Sequence, residues 1–129
     1  MDAEKLSGLV GVERISENRN DNYNLLNTLI EQYFRKSEKH LASLVGAIDR
    51  GAAKAAAGYS ILLKRECLEM GVVQVATICD EIEILCRVGG GMLVDNRLQN
   101  LKLEHERASI DLRRYWYSAE NHANETSKG

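Results

Sequence analysis

Residues 58–72 read GYSILLKRECLEMGV, and this stretch reads as a helix with two apolar faces. At about 100° per residue, Ala52, Ala56, Tyr59, Leu63, Cys67 and Met70 fall on one side and form an ordinary buried stripe. Lys54, Ala57, Gly58, Ile61, Lys64, Arg65 and Leu68 fall opposite, where Ile61 and Leu68 share one line among cations and small residues. The plain reading is that a neighbouring segment covers these two side chains or that they are scattered surface aliphatics. The sharper reading is a docking patch with an apolar centre (Ile61, Leu68, beside Gly58) and a basic rim (Lys64, Arg65).

Outward from this helix, glycines punctuate the chain. Asp49-Arg50-Gly51 precedes it and Gly71 follows it, both positions where a left-handed residue ends a helix. Upstream, the Asn20-Asp21-Asn22 cluster offers N-caps for a long helix. Its apolar positions Leu26, Leu29, Ile30, Tyr33, Phe34, Leu41, Leu44, Val45 and Ile48 keep three-and-four spacing. Downstream, Val75, Ile78, Cys79, Ile82, Leu85 and Cys86 turn inward on a third helix while Asp80, Glu81 and Glu83 face water. Gly89-Gly90-Gly91 ends it. A fourth helix carries Val94, Leu98, Leu101, His105, Ala108, Leu112 and Tyr115 on one stripe, with Trp116 beside it.

Helices over 22–49, 52–70, 73–88 and 92–118, joined by short glycine connections, must run antiparallel to bury their stripes together. The expected fold is all-α, an antiparallel up-down four-helix bundle over 21–118. It follows an N-terminal arm at 1–20, helical or extended (Leu6, Leu9, Val10, Val12, Ile15), and precedes a disordered tail at 119–129. Composition agrees: 129 residues make one domain, and 44% hydrophobic residues with no proline and few aromatics favour long helices over a β sandwich.

A net charge of −2 argues against nucleic acid or an anionic membrane as partner. No apolar run approaches the roughly 20 residues of a membrane span, and no signal-peptide pattern opens the chain. The three cysteines, Cys67, Cys79 and Cys86, lie on inward faces and read as reduced thiols of a cytoplasmic or nuclear protein. A monomer is expected.

Catalytic patterns are missing. His40, His105 and His122 are far apart, without HExxH or CxxC company, so no metal or other cofactor is expected. His40 reads as a solvated helix residue, His105 as a satisfied interior or boundary histidine, and His122 belongs to the tail. Glu104 and Glu106 point to different sides of a helix and make no acid–base pair. Gly89-Gly90-Gly91 is no phosphate loop, because no strand precedes it and no GK[ST] follows.

On the central helix, Leu63-Lys64 followed by Met70-Gly71 resembles the motif of the histidine-containing phosphotransfer (HPt) proteins, in its plant form HQLKGSSSS(I/V)GA. With Lys64 on the motif lysine and Gly71 on its late glycine, no gap is needed between them. Val75, Cys79, Cys86, Leu101, Glu104 and Leu112 fall where that family has like residues. Tyr33-Phe34 and Ser37 resemble its first bundle helix, with about two residues missing before the motif. The likeness covers roughly Tyr23 to Trp116 and implies the HPt-like four-helix bundle.

The departures decide what the resemblance implies. The phosphoaccepting histidine would fall at position 61, where Ile61 stands. The motif glycine is replaced by Arg65, and the small serines by Glu66, Cys67, Leu68 and Glu69; Lys64 remains. The implied function is that of a non-enzymatic pseudo-HPt protein. It would bind receiver domains of response regulators or hybrid histidine kinases and damp a cytokinin-type phosphorelay. Gly58, Ile61, Lys64, Arg65 and Leu68 would be its docking residues. Two rivals stay open: an active phosphotransfer protein using His40, and an unrelated helical adaptor.

Overall fold

Three glycines decide where the helices stop. The structure is a computed structural model that describes the backbone of residues 21–128 and the side chains of residues 25–114. Its elements are four α-helices: α1 (Asp21–Asp49), α2 (Ala53–Glu69), α3 (Val73–Val88) and α4 (Gly91–Lys128), with no strand among the described residues. Behind α1, Gly51 has φ +69°, its N–H donates to the Ile48 carbonyl at 3.0 Å, and the Ala52 N–H donates to the Ala47 carbonyl at 2.8 Å. Behind α2 the arrangement repeats. Gly71 has φ +74°, its N–H reaches Leu68 O at 3.1 Å, and the Val72 N–H reaches Cys67 O at 2.7 Å. These pairs are the crossed hydrogen bonds of the Schellman motif, which satisfy carbonyls left over by the last turn and need a residue that tolerates positive φ. The Gly90 N–H to Leu85 carbonyl bond, 2.7 Å, closes α3 in the same way.

Connections this short force successive helices to run antiparallel. α1 packs on α2, α2 on α3, α3 on α4, and α4 returns to α1, so the four close a bundle. The core is built from the expected stripes: Leu26, Ile30, Tyr33 and Leu44 from α1, Leu63 and Cys67 from α2, Val75, Cys79 and Ile82 from α3, Leu98, Leu101 and Leu112 from α4. Leu29, Phe34, Leu41, Val45 and Ile48 are partly buried against that core. At 1.5 Å per residue α2 and α3 are each about 25 Å long, whereas α1 and α4 reach about 43 and 57 Å and run on past them.

The helix boundaries agree with the glycine reading except at the end of the chain. α4 keeps its helical backbone to Lys128, ten residues beyond the expected stop at Ser118 and into the 119–129 stretch read as a tail. Ala119, Glu120, Ala123, Glu125 and Lys128 are good helix formers, and no glycine intervenes before Gly129. The arm at 1–20 and the side chains of Tyr115, Trp116 and His122 lie outside the described residues. Among the described residues no helix is long and apolar enough to cross a membrane.

All three cysteines are free and buried. Burial pushes the Cys67 thiol up to about 12 and raises those of Cys79 and Cys86 as well, so all three are protonated at neutral pH.

Because Leu63 is fully enclosed, Leu63→Ala is expected to cost about 2–5 kcal/mol in denaturant unfolding. Leu103, half exposed on α4, should change stability by about 0.5 kcal/mol or less when replaced by alanine. Equal losses at the two positions would contradict the core described above.

Candidate docking face

The α2 helix sits between α1 and α3 and has only one side to offer to solvent. Its buried residues are Ala56, Ala57, Ser60, Leu63, Glu66 and Cys67. Ser60 satisfies its hydroxyl locally, donating to the Ala56 carbonyl at 2.9 Å. What remains outward beyond its first turn is Gly58, Ile61, Leu62, Arg65, Leu68 and Glu69. Gly58 is exposed, with nothing within 4 Å of where a Cβ would stand. Leu68 is 50% exposed and Leu62 39%. Ile61 is half-buried, yet it is not among the partly buried apolar side chains packed against the core.

Two sequence expectations need correction here. Ala57 was read on the open side, but it is 3% exposed. Ala76 on the neighbouring α3 is buried to the same degree. Lys64 was read as part of a free basic rim, but its Nζ donates to Asp80 Oδ1 at 2.7 Å. That hydrogen bond, more than the surrounding charges, raises the Lys64 pKa. Lys64 therefore marks the border of the face toward α3, and Arg65, exposed and without an ion pair among the described residues, is the cation at its centre. Glu69 lies exposed one turn beyond Arg65. Leu62 is the docking-face residue that helical-wheel reasoning passed over, since it lies between the two stripes.

His40 is the third correction. The charged run around it suggested a solvated residue, but its side chain is 22% exposed and its Nδ1 lies 2.6 and 2.9 Å from the two carboxylate oxygens of Glu66. Glu66 is itself buried on α2, and a buried carboxylate requires a partner of this kind. His105 behaves as expected. It is buried, with Nε2 2.9 Å from the Ser37 hydroxyl, and desolvation lowers its pKa, with Arg113 adding to the effect and Glu38 opposing it. Tyr33 completes the interior polar layer, its hydroxyl 3.9 Å from Cys67 Sγ, and burial raises its pKa far beyond the usual range. Among the described residues no three His, Cys, Asp or Glu side chains converge where a metal ion could sit.

No protein-family model, no curated protein and no solved structure matches the chain.

The lowered pKa of His105 has a consequence for stability. Above the unfolded value near 6.5 both states carry a neutral imidazole and the full stability is present. As pH falls below it, the unfolded chain takes up a proton that the native protein refuses, so stability declines until the lower folded pKa is passed. His105→Gln, whose amide can still meet Ser37, is expected to flatten this acid-side slope. Urea midpoints at pH 7 and pH 5 read the effect, and an unchanged slope would place the responsible proton elsewhere.

Proposed function

We propose that the chain is a non-catalytic pseudo-phosphotransfer protein. It docks the receiver domains of response regulators or hybrid histidine kinases onto α2 and so modulates a two-component, cytokinin-type phosphorelay in cytoplasm and nucleus. The observation that carries this reading is Ile61: it takes the acceptor position of the resembled motif, on the outward face of a bundle helix, half-buried but off the core. A hydrocarbon side chain has no lone pair to attack phosphorus, so what the face can do is bind. Receiver domains gather carboxylates around their phosphoacceptor, and an apolar surface with Arg65 unpaired on it and bare backbone at Gly58 suits the approach of such a site.

One observation favours a second reading. A carboxylate on Nδ1 is the arrangement that leaves Nε2 of an imidazole as the nucleophile, and Glu66 stands so toward His40. His40 lies on α1, mostly covered, away from the outward face of α2. In that reading the protein would be an active phosphotransfer protein.

Three outcomes separate these readings. Ile61→Asp should abolish receiver binding, a loss of about 1–3 kcal/mol or more, while the thermal midpoint stays close to that of the parent. Incubation with a phosphorylated receiver should leave the parent protein unlabelled, and Ile61→His with Arg65→Gly should be required to make it accept label. Acid-labile labelling of the parent that vanishes in His40→Ala would establish the second reading in place of the first.

A further inference from the structure

From Val88 to Leu93 the sequence VGGGML contains no polar side chain, yet it lies on the surface. Val88 is 72% exposed, Met92 80% and Leu93 58%, and Ile84, one turn earlier on α3, is 59% exposed. Other exposed aliphatics such as Leu103 and Ile110 stand singly among charged neighbours and need no explanation. Consecutive exposed apolar residues are a different matter, because nothing about the bundle's own stability calls for them. Beside this run, where the α1–α2 and α3–α4 connections meet, opens a cavity of about 390 Å³ walled by Ile48, Ala56, Leu85 and Val94 and by the glycine backbone. It is wide enough to receive an aliphatic side chain, and the most exposed and most flexible apolar side chain in the vicinity is Met92.

We propose that this end of the bundle is a self-association surface, at which two copies pair about a two-fold axis and the Met92 of each enters the cavity of the other. The charges around the run point to a copy as occupant. Asp49, Arg50, Lys54 and Asp95 border the cavity or adjoin its lining in sequence, and none of them forms an ion pair among the described residues. Two are acidic and two basic. A two-fold contact must be complementary to itself, and a balanced rim allows each cation to meet a carboxylate of the copy, whereas a rim of one sign would repel it. The overall charge of −2 opposes association only weakly. The proposal does not rest on receiver docking. Ile61 and Leu68 lie farther along α2, so a pair joined at the glycine end displays two α2 faces and would gain avidity for any partner that is itself paired.

Sedimentation equilibrium of the full chain from about 1 µM to about 1 mM tests this. A concentration-dependent dimer is expected, with a dissociation constant raised about tenfold or more by Met92→Asp and by Val88→Asp. Leu103→Asp should leave it unchanged. Both variants replace exposed side chains, so their circular dichroism and thermal midpoints should match the parent. A protein that stays monomeric up to the highest concentration overturns the proposal. So does a dimer indifferent to both substitutions. Receiver binding measured at the dilute end is unaffected by either result, so the two readings stand or fall separately.

Discussion

The bundle depends on three polar side chains on the inner side of α1. Ser37 must meet His105 on α4, His40 must meet Glu66 on α2, and Tyr33 brings its hydroxyl against Cys67. The apolar stripe through Leu26, Ile30, Leu44 and Ala47 would tolerate a slip by one turn with modest repacking, since aliphatic contacts are not directional. The polar groups would not. A slip would leave His105 and Glu66 buried without these partners, at about 1–3 kcal/mol each and more for the carboxylate. Against a total stability of about 5–15 kcal/mol for a domain, that is enough to select one register. These pairs fix α1 against two neighbours at once.

With the register fixed, the outward side of α2 is fixed too. Leu63 and Glu66 both point inward, toward the core and His40 respectively, and beyond the first turn Gly58, Ile61, Leu62, Arg65, Leu68 and Glu69 are what is left. Each seam of the bundle carries a cross-helix pair: His40–Glu66, Lys64–Asp80, Arg97–Glu81 and Arg113–Glu38. The three more exposed ones contribute little to stability. Their larger effect is on which charges remain available to a partner. Asp80 takes Lys64 out of the rim, and Arg113, lying 5.1 Å over the Phe34 ring, is held on the α1–α4 seam.

The fold was legible because its stop signals are local. A Schellman end needs a residue at positive φ, glycine fills that role, and Gly51, Gly71 and Gly89 stand in the sequence where the three-and-four spacing changes phase. The same logic misjudged the last helix, where no glycine marks a stop between Ser118 and Lys128. The site was legible only in part. Periodicity places Ile61, Arg65 and Leu68 outward, but it cannot say that a small residue such as Ala57 will be covered by a close neighbour. Nor can it show that Lys64 will find Asp80, or His40 find Glu66, at separations of 16 and 26 residues. Such pairings are properties of the assembled bundle and leave no trace in a window of one helix.

The two apolar surfaces of this molecule are bordered by different sets of charges. On the outward side of α2 the cation left unpaired among the described residues is Arg65, with exposed Glu69 one turn on, because Lys64 is spent on Asp80 within the chain. A carboxylate-rich surface would be drawn in. At the glycine end the unpaired charges are mixed, which is what the pairing of two copies proposed above would require. Apolar exposure alone would make both surfaces adhesive to anything. For the two surfaces to hold the occupants proposed above, the charges at their borders, Arg65 and Glu69 on one and Asp49, Arg50, Lys54 and Asp95 on the other, would have to do the sorting, by admitting some partners and opposing others.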